Sequence, residues 1–173
     1  SHFLSLAANQ RTDEYGGTIE NRFRFSNEVI QAVHTVVPED RLLTFRISNW
    51  GVADMDVSLF KNKAEWQEMI KLLSNAPIDA ISVSTYRYKD NAFGTDRNMA
   101  QLTREVTDLT VMICGQIYDR TSADDALTDA DVVLSGKSML LNPNWVEDVR
   151  SGKDLPLYNS EEANIAYTDT PLP

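Results

Sequence analysis

The polar and apolar residues of this chain follow two patterns that alternate along its length. Apolar residues three or four positions apart, as on one face of a helix, recur in five segments: 18–37, 62–74, 98–107, about 121–127 and 144–151. Short apolar runs that are typical of β-strands lie between these segments, at 42–48, 78–84, 111–115 and 131–136. Regular alternation of strands and helices predicts a parallel sheet covered by helices, so we expect an α/β fold with four strands.

Two of the helical segments have a clear apolar face. That face holds Phe23, Val29, Ile30 and Val33 in the first segment, and Trp66, Met69, Ile70 and Leu73 in the second. The spacing of Trp66 is the amphipathic one, so we expect it to pack in the core. Thr18 is expected to cap the first helix, and Thr121 or Ser122 the fourth. The third strand, 111–115, is almost wholly apolar and is predicted to be buried on both faces.

The segment 9–22 combines a polar loop, a Gly16-Gly17 turn and the start of a helix. Its charged residues are Arg11, Asp13, Glu14, Glu20 and Arg22. Charges this dense form either a local ion-pair and capping network or a catalytic cluster. We favour the network, because a charged loop-to-helix junction by itself indicates no particular chemistry.

Composition limits the classes of partner. With 173 residues, of which 42% are hydrophobic, the chain has the size and apolar content of one domain with a real core. Its net charge of −10 argues against nucleic acid and anionic membranes as partners, and no apolar run is long enough to span a bilayer. The single cysteine, Cys114, lies in an apolar run, which predicts a reducing, cytoplasmic compartment. His2 and His34 lack metal-ligand spacing, so we expect no metal site.

Ligands of α/β folds bind at the carboxyl ends of the strands. The residues predicted there are Arg46 with Ser48-Asn49, then Ser84-Thr85, Gly115-Gln116 and Gly136-Lys137. Two successive strands that end in glycine can form a phosphate cup from backbone amides. Arg46 either forms a buried ion pair with Asp13 or Glu20, or holds an anionic or electron-rich ligand group. Lys137 is either a solvated surface lysine or a phosphate contact.

Motifs for other chemistry are missing from the sequence. It has no Gly-x-Ser-x-Gly, no Walker loop and no Gly-x-Gly-x-x-Gly. No lysine lies inside a predicted strand, which disfavours a Schiff-base barrel enzyme such as an aldolase.

The segment 9–22 resembles the signature N-x-R-T-D-x-Y-G-G-S-x-E-N-R of the Old Yellow Enzyme family. These flavoproteins are FMN-dependent NAD(P)H:flavin oxidoreductases, include the 2,4-dienoyl-CoA reductases, and fold as TIM (β/α)8 barrels. Further similarities cover the fifth, seventh and eighth barrel strands and the start of the last helix, at 45–48, 111–117, 131–137 and 142–146. The resemblance implies that residues 1–152 are the carboxy-terminal half of an FMN-binding barrel, strands five to eight with their helices. Residues 153–173 would be an irregular tail.

The same resemblance implies roles for the strand-end residues. Arg46 would contact the flavin ring near its N1/O2 edge, and Gly115, Gln116, Gly136 and Lys137 would hold the FMN phosphate. Two of these positions depart from the family pattern. Lys137 stands where arginine is usual, and Gln116 stands where glycine or another small residue is usual.

The implied parent is an ene-reductase in which NAD(P)H reduces the flavin and the flavin passes a hydride to an activated alkene, such as an enone. The family's substrate-gripping His-x-x-His/Asn pair and its proton-donating tyrosine would precede residue 1. The chain opens on Ser1 without an initiator methionine, so we expect an excised piece or a processed product. Because the pair and the tyrosine would lie outside it, we expect little or no ene-reductase activity and no catalytic residue in this chain. We expect it to pair with the missing amino-terminal half or with itself. The alternative is a non-catalytic half-barrel that binds phosphate ligands or self-associates through two open edges and an apolar inner face.

Overall fold

The computed structural model describes residues 2–50, 58–159 and 161–162. Its helices are α1 (Ile19–His34), α2 (Lys63–Ser74), α3 (Met99–Arg104), α4 (Arg120–Ala126), α5 (Lys137–Leu141) and α6 (Trp145–Arg150). Its strands are β1 (Thr44–Ser48), β2 (Ala80–Ser84), β3 (Thr110–Cys114) and β4 (Val132–Leu134). The strands form one parallel sheet in the order β1-β2-β3-β4, which confirms the α/β prediction. Much of the predicted loop 49–61 and most of the predicted tail 153–173 lie outside the described residues.

One face of the sheet packs against helices and forms the core. Ile81 and Val83 of β2 and Val111 and Ile113 of β3 are buried there. The predicted face of α2 packs in the same core, and Trp66, Met69, Ile70 and Leu73 are all fully buried. Alternation along each strand sends the intervening side chains to the opposite face.

The opposite face of the sheet is polar on β1 and β2 and mainly apolar on β3 and β4. The strand register places Arg46 beside Ser82, and Ser48 beside Ser84, on β1 and β2. Met112, Val132 and Leu134 on β3 and β4 supply its apolar part. The predicted apolar inner face was therefore wrong for β1 and β2. The third strand likewise is buried on one face only, since Met112 and Cys114 are half-buried.

Two aspartates join neighbouring strands by reciprocal hydrogen bonds at the amino ends of the sheet. The Asp79 amide donates to Leu43 O and the Leu43 amide donates to Asp79 Oδ2, at 2.8 and 2.7 Å. Asp131 makes the same pair of bonds with Val111, both at 2.8 Å. The hydrogen bond from the Val111 amide is the main cause that holds the pKa of Asp131 below its ordinary value. Arg104 lowers this pKa further.

The helix ends show where sequence prediction succeeded and failed. Thr18 caps α1 by accepting from the Asn21 amide, as predicted. The cap of α4 is Asp119, and not Thr121 or Ser122, because its carboxylate accepts from the Ser122 amide in a capping box. The five-residue α5 was not predicted at all.

The charged segment 9–22 is a structural network, as favoured from the sequence. Arg11 pairs with Asp13 at the surface and holds the pKa of that carboxyl below its ordinary value. Arg22 is buried, donates to Leu4 O and forms an ion pair with Glu65 of α2. Arg22 is thereby part of the buried face of α1, whereas Val29 is 45% exposed, which makes the predicted burial of Val29 wrong.

The described residues lack two kinds of feature. None of their helices is long and apolar enough to cross a membrane. They contain no group of three or more His, Cys, Asp or Glu side chains that could hold a metal ion.

Candidate functional site

A cavity of about 630 Å³ opens at the carboxyl ends of the four strands. The sequence-predicted residues that line it are Arg46, Ser84, Thr85, Gly115, Gln116, Gly136 and Lys137. Every strand therefore contributes to one site, which is the arrangement expected of a parallel sheet. Asn49 is used elsewhere, since its side chain accepts from the Phe60 amide.

Arg46 reaches the cavity from the middle of β1. Its Nη2 donates to Ser84 Oγ at 2.9 Å and lies 3.5 Å from Cys114 Sγ. No carboxylate of the described residues lies within ion-pair distance of this guanidinium, so the predicted pairing with Asp13 or Glu20 is not formed there. Within the described residues the other N–H groups of Arg46 have no hydrogen-bond partner, which leaves them for a ligand in the cavity.

The turn after β3 has an unusual backbone. Gly115 has φ +136° and Gln116 has φ +58°, both in the region that non-glycine residues rarely adopt. Thr85 packs against this turn so closely that a Cβ on Gly115 would lie 2.6 Å from its Oγ1 and 2.7 Å from its carbonyl oxygen. The Thr85 hydroxyl also donates to Cys114 O at 2.7 Å. The loop after β2 and the turn after β3 are thus one packed unit.

Tyr88 forms hydrogen bonds that hold the loop after β2 and the turn after β3 in place. Its amide donates to Gly115 O at 3.1 Å, and its buried hydroxyl donates to Asp125 Oδ2 at 2.8 Å. Burial raises the pKa of Tyr88, and the Asp125 carboxylate raises it further. Tyr88 therefore remains a neutral donor that ties the turn after β3 to α4.

The turn after β4 is joined to the turn after β3 by two hydroxyls. Ser135 Oγ and Ser138 Oγ both donate to Ile117 O, at 3.1 and 2.9 Å. Gly136 and Lys137 lie between these serines, and Lys137 begins α5. Lys137 is therefore carried by a segment that is held at both ends.

Sequence reasoning missed the apolar wall of the cavity. This wall includes Trp50, Leu134, Met139, Trp145 and Val146. Trp50 Nε1 donates to Ser84 O at 3.2 Å, and Trp145 Nε1 donates to Tyr118 O at 2.7 Å. The position of Trp50, two residues after a strand, was a usable signal. The position of Met139 could not be predicted from the sequence, because it lies on α5 and that helix was not predicted.

The family comparison fits this geometry. The model of the NADH:flavin oxidoreductase / NADH oxidase family matches residues 1–156. The chain belongs to this family. Its members are FMN-dependent oxidoreductases with NADH or NADPH as the reductant, and the resemblance to Old Yellow Enzymes seen in the sequence is confirmed.

Relatives and solved structures agree with this assignment. The chain is 31% identical over 144 residues to an NADPH dehydrogenase of Bacillus subtilis, covering 82% of this chain and 42% of that protein. It is 27% identical over 174 residues to an NADH oxidase of Thermoanaerobacter brockii, covering 94% of this chain and 26% of that protein. The chain thus spans between a quarter and half the length of these relatives.

The fold comparisons show the same partial coverage. Morphinone reductase in complex with tetrahydroNAD superposes with a TM-score of 0.75 and 27% identity, covering 98% of this chain and 46% of that one. An Old Yellow Enzyme homologue from Zymomonas mobilis gives a TM-score of 0.77 and 25% identity, covering 99% and 49%.

Proposed function

We propose that this chain supplies the FMN phosphate site and one edge of the flavin site of an ene-reductase. The observation that supports the proposal most strongly is the single cavity at the ends of all four strands, which brings Arg46 together with Gly115, Gln116, Gly136 and Lys137. These are the residues for which the family resemblance implies contacts to FMN.

The chemistry of the cavity suits FMN. Its apolar wall, with Trp50 and Trp145, matches a planar aromatic ring, and Arg46 can offer N–H donors to the electron-rich edge of that ring. Lys137 and the close backbone turns after β3 and β4 match a phosphate group. When bound, FMN supplies the redox chemistry by accepting a hydride from NAD(P)H and passing it to an activated alkene.

The residues of this chain would hold and orient the cofactor. Arg46 would place positive charge at the N1/O2 edge of the flavin, where it favours the reduced, anionic form. Ser84 would keep the Arg46 guanidinium at that edge through the hydrogen bond already formed. No residue in this proposal donates a proton to substrate, because the groups expected to do so would precede residue 1.

We further propose that residues 1–152 correspond to strands five to eight of a barrel, with 153–173 as a tail. In the described residues β1 and β4 are the edges of the sheet, so each could pair with a further parallel strand. An amino-terminal half that binds these edges would close the barrel and complete the active site. The chain alone would then be inactive as an ene-reductase.

Flavin retention tests the proposal. The purified chain, mixed with FMN and desalted, should remain yellow, and K137M and R46M should each reduce the retained flavin. The chain alone should not reduce an enone with NADPH. Addition of the amino-terminal half should restore this activity. A colourless wild-type chain that never binds FMN, with or without the other half, would overturn the cofactor assignment.

The open edges of β1 and β4 also favour a second candidate, a non-catalytic half-barrel that self-associates. Sedimentation velocity separates the two candidates. A colourless dimer would support self-association, whereas a flavin-loaded chain that binds the amino-terminal half would support the enzyme.

A further inference from the structure

Lys137 contacts an aromatic ring from the segment after α6. Lys137 Nζ lies 5.1 Å from the centroid of the Tyr158 ring. This is within the distance at which an ammonium is attracted to the face of an aromatic ring. Tyr158 is half-buried, and it comes from a part of the chain for which the sequence predicted only an irregular tail.

The segment that carries Tyr158 is anchored independently of Lys137. Leu155 packs against the core. The buried Asn142 donates through Nδ2 to Pro156 O at 3.3 Å, and Lys153 forms an ion pair with Asp148 of α6. These contacts hold the backbone as far as residue 156, two residues before Tyr158, without any contribution from Lys137.

The ring contacts the lysine from outside the lining of the cavity. Lys137 lines the cavity, whereas Tyr158 is outside its lining. An ammonium has three N–H donors, so contact with a ring on one side leaves donors for an anion on the other. A lysine side chain has many rotamers and lacks the rigid fork of arginine, and a fixed ring reduces the number of positions that its ammonium occupies.

We propose that Tyr158 is a positioning residue that holds the Lys137 ammonium at the phosphate end of the cavity. The proposal rests on the proposed function, in which Lys137 contacts the FMN phosphate. Lys137, which stands where arginine is usual in the family, would then have Tyr158 as its partner. The segment after α6 would have a role in cofactor binding.

The test compares FMN with riboflavin, which has the same ring system and no phosphate. Y158L should weaken FMN binding about two- to fivefold, as expected for loss of a cation–π contact, and should leave riboflavin binding unchanged. Y158F keeps the ring and should restore the FMN affinity. L157A, at the exposed neighbouring position, is the matched control and should change neither affinity.

A double-mutant cycle distinguishes positioning of Lys137 from a general effect on the segment. In a K137M background, Y158L should have no further effect on FMN binding. Equal loss of FMN and riboflavin binding in Y158L, or tighter FMN binding, would overturn the proposal.

The two proposals can fail separately. If the wild-type chain binds neither flavin, the proposed function fails. Titration with inorganic phosphate, followed by the NMR signals of the Lys137 side chain, then decides the role of Tyr158. A phosphate-induced shift that weakens in Y158L and returns in Y158F supports positioning, and no shift in the wild-type chain contradicts it.

Discussion

Arg46 Nη2 donates to Ser84 Oγ across 2.9 Å, although the strand register places Arg46 beside Ser82. The guanidinium therefore leans two positions toward the carboxyl end of β2. This tilt carries a charge from the middle of the sheet to the cavity, and it explains how a mid-strand arginine belongs to a site at the strand ends.

Removing this charge should weaken flavin binding. R46M is expected to lose about 1.5–3 kcal/mol of FMN binding free energy, the usual value of a hydrogen bond to a charged group. S84A should lose less, because it frees the guanidinium without removing it. Flavin fluorescence titration measures both effects. R150M removes an exposed arginine that pairs with Glu147 and serves as the control; if it lost as much affinity as R46M, net charge alone would explain the effect.

Gly115 should tolerate no side chain. G115A places a methyl group against Thr85 and forces alanine to adopt a positive φ, so we expect it to lower the free energy of unfolding by about 2 kcal/mol or more. Urea denaturation measures the loss. G136A is the matched control, because its Cβ would meet nothing within 4 Å and its φ is −98°. Equal destabilisation by the two variants would contradict the importance of the Thr85 contact.

The buried pair of Arg22 and Glu65 should matter far more than the exposed pair of Arg11 and Asp13. The Arg22 side chain is 3% exposed and that of Glu65 15%, against 50% and 49% for the exposed pair. E65A leaves the guanidinium buried without its carboxylate and should cost about 3–5 kcal/mol of unfolding free energy. D13N should change stability little in the same urea experiment. A small effect of E65A would show that water reaches Arg22.

Asp131 should make the fold sensitive to acid. Its folded pKa is below the ordinary value of 3.8, so its contribution is complete above that value and is lost as the pH falls through the lower folded pKa. D131N should therefore destabilise the chain at neutral pH, and its difference from wild type should shrink below about pH 4. Urea denaturation at several pH values checks this. D96N, at a side chain that is 93% exposed, should follow the wild type throughout.

The sequence was most informative where an element has a single periodicity. The α2 face was predicted residue by residue, because Trp66, Met69, Ile70 and Leu73 all meet the same core. Arg22 was not placed on the buried face of α1, because no hydrophobic pattern identifies a buried ion pair between two helices.

The site could be predicted as a set of residues but not as a surface. Strand ends bring Arg46, Gly115 and Lys137 together through topology, which the alternation of elements already implies. The positive φ of Gln116 and the ring of Tyr158 against Lys137 depend on three-dimensional packing between segments that are distant in sequence. The short α5 was missed because five residues are too few to show a helical period.

The strand order β1-β2-β3-β4 has a consequence for the way the chain folds. Each of β2, β3 and β4 pairs with the strand that precedes it in the sequence, so none of the three has to wait for a segment that the ribosome has yet to make. The reciprocal bonds of Asp79 and Asp131 close two of these pairings as soon as β2 and β4 are available. The sheet can therefore grow one strand at a time during synthesis, with β4 as the last of the four described strands to join.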